Sequence, residues 1–174
     1  MRPPSDEHDA FVREALRLHE RPLLRYVAHL LGGDHERARD LVQDTFVKLC
    51  RQPVGELQDH VAEWLFTVAR RAALDVLRKE GRMNRFAEGQ AERLVAAEPT
   101  PAARAETRES CGQVLDLLHR LPPNQQEVVR LKFQEDFSYK EIAAITRLSL
   151  GNVGFLLHTA LATLRREMTR PSAV

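Results

Sequence analysis

LPPNQQEVVRLKFQEDFSYKEIAAITRLSLGNVGFLLHTALATLRRE, residues 121–167, predicts three helices, the last two joined as a helix-turn-helix. Leu121-Pro122-Pro123 stops one helix and opens the next, because proline suits the first helical turn and breaks an interior. Val128, Val129, Leu131 and Phe133 supply an apolar stripe. Ser138-Tyr139-Lys140-Glu141 is a capping box: the serine oxygen can accept from the third backbone N–H, and the glutamate can reach back. Ile142, Ala143 and Ile145 give a short apolar face, and Thr146-Arg147-Leu148 makes the turn. Ser149 is a second N-cap. A long helix from Leu150 to about Met168 then carries Val153, Leu156, Leu157, Ala160, Leu161 and Leu164 at spacings of three and four. A capped short helix, a tight turn and a capped longer helix form the unit whose second helix can enter a DNA major groove. Serine-capped helical hairpins also occur in proteins that never touch DNA, so the rest of the chain has to decide.

The 174 residues suffice for one large or two small domains, and at 43% hydrophobic and 29% charged they can bury a core. Glycine is sparse, and leucine, alanine, arginine and glutamate dominate, which favours helix. The net charge is +1, and basic and acidic residues stay balanced in each half. Contact with nucleic acid must therefore come from local patches, or from a partner that holds the chain on DNA. Cys50 and Cys111, both in predicted helices, form no CxxC and have no histidine at ligand spacing, so a reducing compartment is expected. No apolar run approaches the roughly 20 residues of a membrane span, and the charged, proline-bearing start does not read as a signal peptide. The expected location is the cytoplasm, with no membrane contact.

Residues 1–9 are expected to fray. Residues 10–19 place Phe11, Ala15 and Leu18 on one face, Pro22 ends or restarts that helix, and Leu23, Leu24, Val27, Leu30 and Leu31 continue the stripe. Gly32-Gly33-Asp34 is a stop and restart. Over residues 35–50, Ala38, Leu41, Val42, Thr45, Phe46 and Leu49 mark one buried face, while Asp40 and Asp44, with Gln43 between them, lie on another. That acidic face is either solvated, with an Asp44–Lys48 pair, or a docking face for a basic partner. Residues 51–58 read as a loop around Pro53 and Gly55. A long helix over residues 60–79 buries a line of Val61, Leu65, Val68, Ala72 and Val76, with Trp64 beside it. Its second half is basic through Arg70, Arg71, Arg78 and Lys79. Those cations serve melted nucleic acid, whose phosphates need charge and whose bases need stacking, or they compensate the helix dipole. Residues 80–105, with Gly81, Gly89, Pro99 and Pro101, read as a tether. Residues 106–120 open the second domain with Val114, Leu115, Leu117 and Leu118 inside.

No phosphate-cradling glycine loop, HExxH or nucleophile elbow is present, and the seven histidines are scattered. Neither enzyme chemistry, nor a metal site, nor a cofactor is expected.

In order and spacing, ARDLVQDTFVKL (residues 38–49), EWLFTVARRAALDVLRK (63–79), LPPNQQEVVRLKF (121–133) and FSYKEIA (137–143) resemble the extracytoplasmic-function class of bacterial RNA polymerase sigma factors. The resemblance spans residues 11–168. It implies an all-α chain of two small helical domains, at residues 1–79 and 106–174, the second a helix-turn-helix. It implies that Asp40, Leu41, Gln43, Asp44 and Phe46 meet core RNA polymerase. Trp64, Arg70, Arg71 and Arg78 then face the melted −10 element, with residues 51–58 as a pocket for a flipped base. The −35 duplex falls to Ser149, Gly151, Asn152, His158 and Thr159. Promoter DNA and core polymerase are the implied partners, and many members of the class also have an anti-sigma partner. The short end at residues 170–174 reads as no regulatory domain.

Two features depart from the family pattern. No Lys or Arg stands between Leu148 and Leu164, where recognition helices of the class usually carry them, so bidentate arginine–guanine contacts are not available from the helix middle. Phe155 reads as core, as a contact to a thymine methyl, or as a protein contact. Arg71 stands where the family often has asparagine. Three functions follow: a sigma factor, a polymerase-binding module whose second domain no longer reads DNA, or a stand-alone helix-turn-helix regulator that binds a palindrome without polymerase.

Overall fold

The structure, a computed structural model, describes residues 6–81 and 115–169. Every regular element among them is helical, as expected. The tether read over residues 80–105 lies outside the described residues except for its first two, as do the start of the helix read from residue 106, Val114 and Cys111. The described residues fall into two compact units, one of residues 6–81 with 144–147 and the other of residues 115–143 and 148–169.

Three long helices make the first unit: α1 (Asp6–Leu30), α2 (His35–Leu49) and α4 (Val61–Lys79), each packed on the other two, with a single turn, α3 (Val54–Leu57), between α2 and α4. Helix α1 begins inside the stretch expected to fray and runs through Pro22 rather than stopping there. Proline removes the N–H that the Leu18 carbonyl would accept. Leu18 lies on the exposed side, so water can take that bond, while Leu23, Tyr26, Val27, Ala28 and Leu30 beyond the proline are buried and hold the helix in line. Gly32 and Gly33, both at positive φ, end α1, and Asp34 caps α2 by accepting from the Arg37 N–H at 3.0 Å. These are the stop and restart read from Gly32-Gly33-Asp34. Gly81, at φ 69°, closes α4. Arg37 also pairs with Glu80, which ties the start of α2 to the end of α4.

The buried line of α4 is Leu65, Phe66, Ala69, Ala73 and Leu77. Val61, Val68, Ala72 and Val76, expected inside, are half-buried. The helix is turned by one position from the expected face, because Phe66 is drawn onto Tyr26, with ring centroids 5.0 Å apart and planes tilted by 41°. Leu16 and Leu18 of α1 are exposed, Leu18 contrary to the expected face of Phe11, Ala15 and Leu18. The stretch read as a loop over residues 51–58 contains α3, whose Leu57 is buried as an anchor.

The second unit holds α5 (Pro123–Phe133), the start of α6 (Tyr139–Thr146) and α7 (Leu150–Met168), with α5 packed on α7. Residues 115–119 are helical, and only Leu118 of that turn is buried, so the expectation that Leu115 packs inside is wrong. Pro122 stands at the N-cap position of α5, where its side chain makes no capping bond, and Pro123 occupies the first turn. The Gln126 side chain donates to the carbonyls of Leu121 at 2.7 Å and His119 at 3.2 Å. It satisfies acceptors that the preceding helix leaves open at its end. Phe133, expected in the apolar stripe of α5, is 60% exposed.

Both predicted caps form. The Ser138 N–H donates to Glu141 Oε2 at 2.7 Å and the Glu141 N–H to Ser138 Oγ at 3.3 Å. Phe137 and Ile142, at the two positions of a hydrophobic staple, are both buried. The Asn152 N–H donates to Ser149 Oγ at 3.2 Å, which starts α7. Ser138→Ala is expected to lower stability by about 1 kcal/mol, read as a lower denaturation midpoint at unchanged slope; Ser138→Asp, which keeps a cap acceptor, is expected to keep the midpoint.

Candidate functional site

Three surfaces carry the residues singled out in the sequence. The first is the outer face of α2. Asp40, Gln43 and Asp44 are exposed and Leu41 is half-buried. The nearby arginines are engaged elsewhere: Arg37 with Asp34 and Glu80, and Arg39 with Glu36 at 3.2 Å. Among the described residues no salt bridge reaches Asp40 or Asp44, and the Asp44–Lys48 pair of the solvated alternative does not form. An uncompensated pair of carboxylates one helical turn apart attracts a basic surface. Phe46 is only 7% exposed, so it supports this face from within the core and offers no ring to a partner. Val47, 45% exposed and one turn beyond Gln43 and Asp44, extends the face with an apolar contact that the sequence reading passed over. Its signal was its position: spacings of seven from Asp40 and three from Asp44 put it on the acidic side.

The second surface lies along α4. Trp64, Arg71 and Arg78 are seven residues apart, so they fall on one line with steps of about 10 Å. Trp64 is half-buried, and Arg71 and Arg78 are exposed. Arg78 pairs with Asp75 at 2.8 Å, both side chains about 60% exposed. A surface pair of that kind contributes about 0–1 kcal/mol and yields to a phosphate. Arg70 is half-buried beside this line. Around α3, Arg51, Pro53, Gly55 and Glu56 are exposed at the same end of α4 as Trp64.

The third surface is the outer side of α7. Ser149, Gly151, Asn152 and His158 are exposed and Thr159 is half-buried. The inner side is Val153, Leu156, Leu157 and Ala160, as predicted, but Leu161 faces outward at 37% exposure. Phe155 is 65% exposed, which excludes its reading as core and makes it part of the outer face. A Cβ built on Gly151 meets nothing within 4 Å, so no packing demand selects glycine there. Arg147, in the turn before α7, has φ 61°. An L residue other than Asn or Asp rarely takes that conformation, which costs about 1–2 kcal/mol. Lys140, Arg165 and Arg166 are exposed. Arg130 is partly withdrawn: burial lowers its guanidinium from the ordinary value. Burial first, and the neighbouring Arg130 charge second, lower the His119 imidazole. Neither group belongs to the outer face of α7.

No described helix is long and apolar enough to cross a membrane.

Two family descriptions match the chain in order: Sigma-70 region 2 over residues 16–83 and Sigma-70, region 4 over residues 111–164. The chain is 28% identical to the ECF RNA polymerase sigma factor SigE of Mycolicibacterium smegmatis over 92% of its own length, and spans 62% of that relative. It is 30% identical to the ECF RNA polymerase sigma factor EcfG of Rhodopseudomonas palustris over 82% of its own length and 77% of the relative. The fold is similar to that of the sigma factor RpoE from Bartonella quintana, solved in complex with the anti-sigma factor NepR. That similarity has a TM-score of 0.62 at 25% identity, and covers 91% of this chain and 97% of that one.

Proposed function

The chain belongs to the sigma-70 family of RNA polymerase sigma factors, in its extracytoplasmic-function class, and we propose that it binds core RNA polymerase in the cytoplasm and directs it to promoters, with no catalytic step of its own. The observation that carries this reading is the pairing, in one chain, of an uncompensated acidic face on α2 with a doubly capped helix-turn-helix at residues 138–168. The first gives a machine-docking surface and the second a duplex-reading one.

In this reading Asp40, Leu41, Gln43 and Asp44, extended by Val47, dock on the polymerase. Trp64, Arg70, Arg71 and Arg78 hold the melted −10 strand: the indole offers a stacking face and the guanidiniums meet phosphates. Ser149, Gly151, Asn152, His158 and Thr159 face the −35 duplex. Residues 80–105 tether a first domain at residues 1–79 to a second at residues 106–174. The near-neutral charge suits a protein that reaches DNA only as part of holoenzyme. An anti-sigma protein is a further partner, supported by the complex in which the similar RpoE fold was solved.

Run-off transcription with purified core polymerase tests the function. Specific transcripts that require the chain are expected. Core binding without initiation would leave only a polymerase-binding module, and duplex binding without core would make it a stand-alone regulator.

A further inference from the structure

The outer face of α7 has a composition that selects among bases. Asn152 and Phe155 are both exposed and three residues apart, so their side chains rise from neighbouring turns of one face, about 4.5 Å apart along the axis. The rise of one duplex base-pair step is about 3.4 Å. A helix seated in the major groove therefore sets these two side chains over adjacent base pairs. Guanine presents two acceptors, which a guanidinium or an ammonium reads best, and the helix has no Lys or Arg between Leu148 and Leu164. A carboxamide offers one donor and one acceptor, the complement of adenine N6 and N7. A phenyl ring offers only apolar surface, and the one apolar group on the major-groove floor is the thymine C5-methyl.

We infer that α7 reads an adenine–thymine step in the −35 element, with Asn152 taking the adenine and Phe155 packing on the methyl of a neighbouring thymine. This rests on the promoter-binding reading above. The occupant is duplex DNA rather than another protein because of the charge around the apolar centre. Lys140 and Arg147 are exposed before and within the turn that enters α7, and Arg165 and Arg166 are exposed near its far end. Cations at both ends of a short uncharged reading face match two phosphate backbones flanking a groove floor. Gly151, one residue before Asn152 with open space where a Cβ would stand, lets the backbone approach that floor.

The test uses holoenzyme reconstituted from core polymerase and the full chain, on a promoter library randomised across the −35 element. The expected outcome is enrichment of an adenine–thymine step. On the selected promoter, replacing the thymine with deoxyuridine removes only the methyl and is expected to reduce open-complex formation roughly tenfold. Phe155→Ala is expected to lose a similar factor on the thymine promoter and to become indifferent to deoxyuridine. Asn152→Ala is expected to become indifferent to 7-deazaadenine, which lacks the N7 acceptor. Both side chains are exposed, so circular dichroism melting of each variant should match the parent. A selected guanine at that step, or a deoxyuridine promoter used as well as the thymine one while the footprint still covers the −35 element, overturns the inference and leaves the promoter-binding reading standing. Full initiation with no −35 footprint overturns both. Unchanged promoter use by Phe155→Ala also overturns the inference and leaves the ring to a protein contact.

Discussion

Asp40→Lys combined with Asp44→Lys is expected to abolish retention of the chain on core RNA polymerase while leaving its helical spectrum and melting transition in place. The two carboxylates stand on the outer face of α2, and no salt bridge among the described residues neutralises them. A folded chain that keeps two like charges one turn apart accepts a small repulsion, a few tenths of a kcal/mol. Replacing both by lysine leaves a pair of like charges, so that term barely changes, and lysine has the better helix propensity. The fold is therefore expected to be indifferent. A basic docking surface is not, since each reversal turns an attraction into a repulsion and leaves a partner cation desolvated, at about 2–5 kcal/mol for a truncated buried pair. Two such losses remove binding at micromolar concentrations. Asp40→Asn with Asp44→Asn should fall between, slowing association most strongly at low salt. The measurement is co-elution with core polymerase on gel filtration. Co-elution of the lysine double variant at parental levels would remove the docking role of α2, and a lost melting transition would show that these carboxylates serve the fold instead.

The elements that periodicity and capping specify independently were legible from residues alone. Helix α2 is bounded by Asp34 and Cys50 because the aspartate cap, the spacing of Ala38, Val42, Thr45, Phe46 and Leu49, and the loop after it all agree. The helix-turn-helix was legible because each of its two helices carries its own serine cap. Helix α4 was legible as an element but not in rotation. Apolar residues occur nearly all round VAEWLFTVARRAALDVL, so several stripes satisfy a 3.6-residue period. The partner decides among them, and the partner is Tyr26, forty positions before Phe66. The same kind of non-local decision carries α1 through Pro22, whose following residues are held by burial against the other helices.

The candidate surfaces were legible to the extent that polar residues mark outer faces. Asp40 and Asp44 announce theirs by charge, and Gln43 by polarity. Apolar members of such a face do so only through their spacing from a charged neighbour, as Val47 does from Asp40 and Asp44; Phe155 has no such neighbour and carries the same composition signal as core residues, and Phe46 has that signal because it is core. Only the rotation of each helix against its neighbours separates them, and one residue of phase, about 100° on a helix, moves a side chain from the inside to the outside.

That ambiguity gives the second large effect. Phe66→Ala is expected to cost about 3–5 kcal/mol of stability, a large part of what holds a small domain together. Phe66 is 1% exposed, and its ring meets Tyr26 at 5.0 Å. Removing it forfeits the transfer energy of the ring, leaves a cavity where α1 and α4 pack on each other, and deprives Tyr26 of its aromatic neighbour. Phe66→Leu refills most of the volume and is expected to cost appreciably less. Phe155→Ala, the same chemical change on a ring 65% exposed, is expected to stay within about 0.5 kcal/mol. Urea denaturation of the three variants, with slopes compared so that only midpoint shifts count as stability, makes the comparison. The order expected is Phe66→Ala far below Phe66→Leu, and Phe155→Ala level with the parent. Loss of stability in Phe155→Ala as large as in Phe66→Ala would mean that α7 is rotated from the position described, and with it the reading face built on Asn152. An unshifted midpoint in Phe66→Ala would mean that α4 buries the Val61, Val68, Ala72 and Val76 line after all. In that case Arg71 and Arg78 would turn with it, and the cationic line assigned to the −10 strand would no longer face outward.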